Sequence, residues 1–207
     1  MNKKGNLIIV AAPSGAGKTS LVNALVAVLP NIKISTSYTT RAPRPNDQDG
    51  KDYFFVSEKQ FSEMIEAQAF LEHATVFGNH YGTSCKWVLM QLASGQDIVL
   101  EIDWQGAKQV VLQFPQAVTI YILPPSLSVL KSRLMQRQQD SEAVIASRMD
   151  QAQSEMSHYH EFQYCIVNDD FELALKQLKH IVLAARLRLS SQRPTLTPLL
   201  AELLKKQ

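Results

Sequence analysis

The sequence lacks most of the features by which several classes of protein are recognised. It has only two cysteines in 207 residues, Cys85 and Cys165, which lie far apart and form no C-x-x-C pattern, so neither a disulfide framework nor a cysteine-bound metal is indicated. No apolar run approaches the roughly 18 residues of a membrane span. The net charge of +2 requires neither nucleic acid nor a membrane surface as a partner. These absences predict a cytoplasmic protein that binds neither nucleic acid nor a membrane.

Length and composition set the scale of the fold. A chain of 207 residues, 45% of them hydrophobic, can bury one well-packed core with room for functional insertions, but hardly two full domains. The sequence contains no internal repeat and no low-complexity segment. We therefore expect a single domain over residues 1–207.

The run LIIVAAPSGAGKTS, residues 7–20, combines a strand, a glycine-rich turn and the start of a helix. Residues 7–10 are apolar and mostly β-branched, and the proline and glycines that follow end the strand. After Lys18, leucines and valines recur at helical spacing. The first N–H groups of a helix have no partner within it, and with the helix dipole they form an anion site. This run therefore predicts a phosphate-binding P-loop.

Within the P-loop, glycine lets backbone N–H groups approach phosphate oxygens, while Lys18 is expected to contact the β- and γ-phosphates and the Thr19 hydroxyl to bind Mg²⁺. The general pattern has glycine where this chain has Ala12, but the residues nearest to the phosphates are intact. The alternative is a glycine-rich turn with an incidental lysine. The predicted ATP-binding residues of the loop are Pro13, Ser14, Gly15, Ala16, Gly17, Lys18, Thr19 and Ser20.

A polar run at residues 35–53, STSYTTRAPRPNDQDGKDY, is too polar for a core and too particular for a linker. Arg41 and Arg44 lie three apart among hydroxyl residues, and the run ends at Tyr53. Arginine presents a planar fork of donors suited to phosphate, so these side chains form a candidate second phosphate clamp. A solvated basic loop is the alternative.

Residues 37–84 predict a small, mainly β insertion. Ser57 and Gln60 have the spacing of a capping box, which predicts a short amphipathic helix over about 58–69 with Phe61, Met64 and Ile65 on its apolar face. The β-formers and turn glycines of residues 70–84 predict a strand, a turn and a second strand.

The second half of the chain alternates strands and helices, which favours a parallel sheet covered by helices on both faces. The apolar run at 98–100 leads directly into Glu101 and Asp103, and residues 118–123 and 164–167 predict two more strands. Ligands of parallel sheets bind beyond the carboxyl ends of the strands. The two carboxylates are therefore expected to face the P-loop.

Three further segments have helical patterns. Residues 126–160 predict a helical hairpin with a loop at 138–140, and its arginines, Arg133, Arg137 and Arg148, suit either a solvated surface or a phosphate site. Residues 168–170 are expected to cap a following helix. The tail, residues 190–207, contains two prolines before a short leucine-rich helix that packs on the domain or on another subunit. The predicted buried face of the capped helix consists of Phe171, Leu175, Leu178, Val182 and Ala185.

Five blocks of this sequence resemble the guanylate kinase family. They are APSGAGKT, TSYTTRAPRPNDQDGKDYFFV, FLEHATVFGNHYGTS, EIDWQG and IVNDD, in the family's order and spacing, and the resemblance extends from about residue 6 to 189. It implies Mg²⁺-dependent, reversible transfer of a phosphoryl group from ATP to GMP, giving ADP and GDP, in purine nucleotide metabolism. It also implies an α/β fold whose P-loop parallel sheet has a GMP-binding insertion and a mobile lid.

The resemblance divides the chain into a core (1–36, 85–125 and 161–189), a GMP-binding insertion (37–84), a helical lid (126–160) and a C-terminal tail (190–207). It implies catalytic roles for Lys18, Arg41, Arg137 and Arg148. On the ATP side it adds Arg133, Arg137 and Asn168 to the P-loop. The implied GMP-binding residues are Ser37, Arg41, Arg44, Tyr53, Glu72, Tyr81, Thr83 and Asp103.

The chain departs from the family pattern at two positions, Gln138 in the lid and Glu101, whose role towards Mg²⁺ stays open. Two other functions are alternatives. A non-catalytic guanylate-kinase-like module that binds phosphopeptides would typically lack a working P-loop. Glu72 and the hydroxyls of Ser37 and Thr83 argue against a kinase of AMP, UMP or dTMP. The use of dGMP and the oligomeric state are not determined by the sequence.

Overall fold

A computed structural model describes residues 4–76, 78–136 and 142–205, with the side chains of 142–148 left out. Its strands are β1 (Leu7–Ala11), β2 (Ile32–Ile34), β3 (Tyr38–Thr39), β4 (Phe54–Phe55), β5 (Phe70–Val76), β6 (Asn79–Ser84), β7 (Asp97–Glu101), β8 (Val118–Leu123) and β9 (Tyr164–Val167). Its helices are α1 (Lys18–Val28), α2 (Glu58–Glu66), α3 (Cys85–Ala93), α4 (Trp104–Gln113), α5 (Leu127–Gln136), α6 (Glu142–Ser157), a 3₁₀ turn (His158–Glu161), α7 (Phe171–Arg186) and α8 (Leu189–Leu203).

The larger sheet is parallel, with strand order β2-β7-β1-β8-β9. All five residues of β1, the central strand, are buried. Parallel strands covered on both faces need such continuous apolar runs. The pairing of Val10 with Glu101 and of Ala11 with Tyr121 brings the carboxyl ends of β1, β7 and β8 to one edge of the sheet. The P-loop begins at this edge, so the predicted α/β fold with a parallel P-loop sheet is confirmed.

Alternating residues of β1 face two separate hydrophobic clusters. Ile8 and Val10 pack with apolar residues of α1 and α7, whereas Leu7 and Ile9 pack with those of α3 and α4. This alternation follows from the two-residue period of a strand. The helices on both faces fix the end of β1 and therefore the start of the P-loop.

The smaller sheet, with order β4-β3-β6-β5, is mixed: β3 pairs parallel with β4 and antiparallel with β6, which pairs antiparallel with β5. The predicted capping box is confirmed, because Ser57 and Gln60 each accept a hydrogen bond from the other's backbone N–H at the start of α2. Of the predicted apolar face of α2, only Phe61 is buried. The separate small sheet agrees with the expected mainly β insertion, although the exact domain bounds stay a prediction.

Helix α7 begins as predicted, with the Asp170 carboxylate accepting a hydrogen bond from the Leu173 backbone at 2.7 Å. The prediction that Phe171 belongs to the buried face of α7 is wrong, because this side chain is exposed and lines a cleft beside the P-loop. Ala174, one turn further on, is buried instead. A helix-period pattern cannot distinguish an aromatic in the core from one at the mouth of a cleft.

The tail corrects a second expectation. Instead of a short helix after two prolines, α8 is continuous and contains Pro194 and Pro198. No residue of α8 is buried, so water can reach the carbonyls that the prolines leave without a helical donor. The Ser191 hydroxyl ties the helix to the N-terminal strand by donating to the Asn6 side chain at 2.7 Å. Within the described ranges, no helix is both long and apolar enough to cross a membrane.

Candidate active site

The P-loop has the backbone conformation that its glycines predict. Gly15 and Gly17 adopt left-handed angles, φ +92° and +91°, which residues with a side chain rarely adopt. Gly17 is also the N-cap of α1, and no side chain caps the helix there. The first N–H groups of α1 are therefore available to an anion, as the sequence predicts.

Lys18 and Thr19, the first residues of α1, point towards the end of β7. The Lys18 ammonium donates to the Ile102 carbonyl at 3.5 Å, and the Thr19 hydroxyl donates to a Glu101 carboxylate oxygen at 2.8 Å. A hydroxyl and a carboxylate are hard oxygen ligands of the kind Mg²⁺ prefers. Glu101 thus places an acidic group next to the predicted metal ligand, Thr19.

A cleft of about 340 Å³ lies on the outer side of the P-loop. Its lining consists of Gly15, Gly17, Ser20, Arg133, Gln136, Asn168 and Phe171. Arg133 donates from Nη2 to the Asn168 carbonyl at 3.0 Å, while its Nη1 is buried and finds no partner among the described residues. A buried guanidinium nitrogen without an acceptor is costly, which makes Nη1 a candidate donor for phosphate.

Asn168 supports the P-loop directly. Its side chain is buried and donates from Nδ2 to the Ala16 carbonyl at 2.8 Å. A Cβ at Gly17 would collide with that amide, so the glycine is required by packing as well as by φ. The position that the resemblance associates with the adenine end of ATP therefore also shapes the loop.

Glu72 and Thr83 form a buried polar pair in the small sheet. They face each other across β5 and β6, and the Thr83 hydroxyl donates to Glu72 Oε1 at 2.6 Å. Glu72 is only 3% exposed, and this burial raises its pKa to about 7, although the Thr83 hydrogen bond favours the charged form. Its buried carboxylate is therefore poised to accept hydrogen bonds from a ligand.

Asp103 lies beside Glu72, and its charge contributes to the raised pKa of Glu72. It is the N-cap of α4 and accepts hydrogen bonds from the Gly106 backbone and the Gln105 side chain, both at 2.9 Å. A Cβ at Gly106 would overlap Glu72 Oε2, so this glycine allows α4 to approach the carboxylate. Sequence reasoning gave Gly106 no role, because the contact joins residues far apart in the chain.

The candidate phosphate clamp is organised by an aspartate that sequence reasoning missed. Asp47 Oδ2 accepts from Arg41 Nη2 at 2.7 Å and from the Arg44 backbone at 2.8 Å. The Arg41 guanidinium lies over the rings of Tyr53, at 5.2 Å, and Phe55, at 5.6 Å. These contacts, together with a hydrogen bond from Nη1 to the Ala42 carbonyl at 2.9 Å, hold Arg41 in place. A carboxylate three residues after an arginine in a turn-rich run was the available signal.

The clamp lies close to the P-loop edge of the large sheet. The Tyr53 and Tyr81 rings are 5.8 Å apart, edge to face. Burial raises the pKa of Tyr53, and the charges of Tyr81 and Glu101 add to that effect, whereas Arg41 opposes it. Glu101, which accepts the hydrogen bond from Thr19, is therefore near enough to the clamp for its charge to act on Tyr53.

Glu155, near the end of α6, is a further residue that sequence reasoning missed. Its backbone carbonyl accepts a hydrogen bond from the buried Tyr121 hydroxyl at 2.8 Å. Burial raises the pKa of its carboxylate, the charge of Lys18 opposes that rise, and the charge of Asp103 adds to it. Nothing in its local sequence distinguishes it from a solvated helical glutamate.

The other predicted residues differ in how much the structure says about them. Arg137 and the side chain of Arg148 lie outside the described part of the chain. Ser37 is partly buried at the start of β3, with its carbonyl bound to Phe54, and Arg44 is exposed. Their predicted nucleotide contacts stay predictions.

Three features define the class of P-loop kinases. They are a parallel sheet with a P-loop at its carboxyl edge, a hydroxyl–carboxylate pair beside the loop lysine, and an arginine clamp near the loop. The chain belongs to the guanylate kinase family, whose family model matches residues 4–185.

Individual relatives agree with this family. The chain is 55% identical over 204 residues to a guanylate kinase of Coxiella burnetii, with 99% of each chain covered, and 56% identical over 201 residues to one of Methylococcus capsulatus, with 97% of this chain and 98% of the relative covered. Its fold is similar to the crystal structure of guanylate kinase from Anaplasma phagocytophilum, with TM-score 0.75, 32% identity and coverage of 91% and 89% of the two chains.

Proposed function

We propose that the chain is an ATP:GMP phosphotransferase in which the P-loop holds the donor, the small sheet holds the acceptor, and the two meet at the carboxyl edge of the large sheet. The guanylate kinase family and full-length relatives of that name support this activity. The intact P-loop favours a kinase over a non-catalytic module that binds phosphopeptides. The observation that supports the acceptor best is the buried Glu72–Thr83 pair beside Asp103.

The acceptor base is selected by hydrogen-bond polarity. Guanine presents N1–H and an exocyclic amine as donors, and the ionised Glu72 carboxylate accepts from both. Ser37 supplies a hydroxyl that can donate to guanine O6, Thr83 orients the Glu72 carboxylate through its own hydroxyl, and Asp103 adds a second acceptor. Adenine places a lone pair at N1 instead, which leaves the buried carboxylate without donors. We expect dGMP to be accepted as well, since none of these groups contacts the ribose in this assignment.

The acceptor phosphate is held by the clamp of Arg41, Arg44, Tyr53 and Tyr81. Arg41 is already fixed by Asp47 and by aromatic rings, so little side-chain freedom is lost when phosphate binds. The clamp orients one GMP phosphate oxygen for in-line attack on the γ-phosphorus of ATP. The bond from γ-phosphorus to the β,γ-bridging oxygen breaks, and ADP leaves.

The protein contributes alignment and charge stabilisation and forms no covalent intermediate. Lys18 and the N–H groups of the P-loop offset charge on the donor, and Arg133, through its unpartnered Nη1, contributes from the α5 side. Arg137 and Arg148 are assigned the same role from the lid. Asn168 keeps the loop in shape.

Mg²⁺ fits the oxygen ligands beside the P-loop. Thr19 would hold it directly, and Glu101 would hold it or its water shell, as their 2.8 Å contact suggests. When bound, the ion would neutralise phosphate charge and orient the donor. The cytoplasmic location remains a prediction from the sequence.

The proposal is tested by a coupled assay of ADP formation with GMP, dGMP, AMP, UMP and dTMP as acceptors. We expect rapid turnover with GMP and only background with AMP, UMP and dTMP. Preference for another monophosphate would overturn the acceptor assignment. Removal of Mg²⁺ with a chelator and its restoration tests the metal separately.

A further inference from the structure

The glutamines of α4 recur at every fourth residue, at positions 105, 109 and 113. Residues four apart lie on one side of a helix, about 6 Å apart along its axis. Alternate residues of a strand direct their backbone groups to the same side, about 6.7 Å apart. Because the two spacings nearly match, a row of glutamines on a helix can meet the outward-facing peptide groups of a strand beside it.

The strand beside this row is β5, the last strand of the smaller sheet, whose other edge pairs with β6. Gln109 binds it twice: the His73 N–H donates to Gln109 Oε1 at 3.2 Å, and Gln109 Nε2 donates to the His73 carbonyl at 2.7 Å. Gln113 Nε2 donates to the Leu71 carbonyl at 2.9 Å. The two side-chain amides therefore take the place of a further strand along this stretch of β5.

Glu72 lies between the two residues whose backbone is held in this way. Pairing of β5 with β6 is irregular here, because the register shifts between Phe70 and Glu72. Such an irregularity interrupts the ladder of hydrogen bonds within the sheet. The carboxylate also has little room, since a Cβ at Gly106 would overlap Oε2. A small displacement of the strand would therefore move Glu72 relative to α4 and to Asp103, which caps that helix.

We propose that Gln109 and Gln113 are positioning residues of the guanine site, which set the distance between the Glu72 carboxylate and α4 by pairing with the β5 backbone on both sides of it. Gln105, the third glutamine of the row, donates to the Asp103 carboxylate at 2.9 Å, so one row of side chains holds both acceptors. Without the amides, the carboxylate occupies its binding position for a smaller fraction of the time, and the apparent affinity falls by that fraction. This inference rests on the proposed function in taking Glu72 and Asp103 as the acceptors for guanine.

The first variant, Gln109→Met, keeps the length of the side chain and removes both of its hydrogen bonds. Because each such bond is worth about two- to tenfold in an equilibrium, the Kd for GMP should rise by about tenfold, whereas the Kd for a non-hydrolysable ATP analogue should not change. Isothermal titration calorimetry measures each ligand in the absence of the other. Lys108→Met, at the neighbouring exposed position of α4, is the matched control and should bind both ligands as wild type does.

At Gln113 the donor can be removed and then restored. Gln113→Glu keeps the shape but places an acceptor against the Leu71 carbonyl, and it should weaken GMP binding by about two- to tenfold. Gln113→Lys supplies a donor of similar reach and should bind GMP nearly as well as wild type. Equal weakening by the two substitutions would show that the hydrogen bond is not the cause and would overturn the role of Gln113.

Amide hydrogen exchange tests the Gln109 contact without any ligand. The His73 N–H should exchange about two- to tenfold faster in Gln109→Met than in wild type, with the N–H groups of the buried strand β1 unchanged. An unchanged His73 rate, or a loss of affinity that is equal for GMP and the ATP analogue, would overturn the inference. A wild type that does not bind GMP would overturn the proposed function and this inference together, whereas equally tight binding of GMP by wild type and Gln109→Met would overturn this inference alone.

Discussion

The proposed donor and acceptor corners of this site are built in different ways. The donor corner is one contiguous strand, turn and helix, and its binding groups are mainly backbone N–H groups. The acceptor corner takes side chains from β5, β6, the loop after β3 and the end of β7. A backbone cradle recognises charge, which every nucleotide has, whereas assembled side chains recognise one base. Specificity is therefore expected to reside in the small sheet and rate in the P-loop.

The largest expected effect is on base selectivity, and it tests whether the small sheet determines specificity. Because a site built to hydrogen-bond a group rejects an analogue lacking it by about 10⁴–10⁵, the kcat/KM for GMP should exceed that for AMP by at least about a thousandfold. Glu72→Ala should remove most of this preference by lowering kcat/KM for GMP, while affinity for an ATP analogue is little changed. Steady-state kinetics with both acceptors provides the measurement.

Glu66→Ala, an exposed glutamate on α2, is the control for Glu72→Ala. A Glu72→Ala enzyme that uses GMP as well as wild type does would remove Glu72 from the guanine site. A wild type that prefers AMP would reverse the assignment of the acceptor corner.

The second effect tests the donor corner. Lys18→Ala should leave a folded protein whose kcat is reduced by about 10²–10³, because the lysine acts on charge that develops in the transition state. Lys33→Ala, an exposed lysine hydrogen-bonded to Gln91, is the matched control and should be near normal. Near-normal turnover of a Lys18→Ala enzyme, with thermal unfolding as the check of folding, would contradict the P-loop assignment.

The third effect is on the pH dependence of protein stability, which Glu72 is expected to influence independently of activity. Its pKa of about 7 in the folded protein exceeds the ordinary 4.5, so the folded state holds the proton more tightly and loses stability as pH rises from about 5 through 7. Glu72→Gln cannot ionise, and its amide oxygen can still accept from Thr83. Relative to wild type its free energy of unfolding should be higher by about 3 kcal/mol above pH 8 and little different below pH 4.5.

Denaturant unfolding of wild type and Glu72→Gln between pH 4.5 and 8.5 measures this difference, with Glu66→Gln as the surface control. The same variant should use GMP poorly. A stability difference that does not change with pH would show that burial of the charge is not the cause.

The smallest effect concerns the fit between α4 and the small sheet. Gly106→Ala places a Cβ against Glu72 Oε2 and should raise the KM for GMP by about tenfold, in line with the roughly 1–3 kcal/mol cost of overpacking. The KM for ATP should not change. Ala107→Ser, at the next position of the same helix, controls for a general disturbance of α4 and should leave GMP preference intact.

How many contacts of each corner the sequence could predict depends on whether those contacts are local in the chain. The P-loop, the carboxylates after β7 and the Ser57 cap were predictable because local spacing determines them. The role of Gly106 and the hydrogen bond between Tyr121 and Glu155 were not, because each is a contact between segments far apart in the chain. The roles of Glu72 and Thr83 came from the resemblance, and the structure adds their burial and their direct hydrogen bond.

The errors also have physical causes. Phe171 matches the period of the buried face of α7, yet it lies in the first turn, where the helix meets a cleft. Pro194 and Pro198 normally end a helix, but α8 has no buried residue and its carbonyls can bind water. At both positions the local sequence pattern was read correctly, but the tertiary environment determined whether the side chain was buried or the helix continued.

The missing cap on α1 makes the donor nucleotide a structural component. Gly17 provides no side chain for the first turn, so the phosphates of a nucleotide bound as proposed would complete the helix. Any ligand that binds only the folded state raises its stability, by about 2.7 kcal/mol at 100 times its Kd. A melting-temperature survey of nucleotides would therefore rank the donors by how well each substitutes for the absent cap, and the enzyme should resist heat and proteolysis best when its nucleotide pool is full.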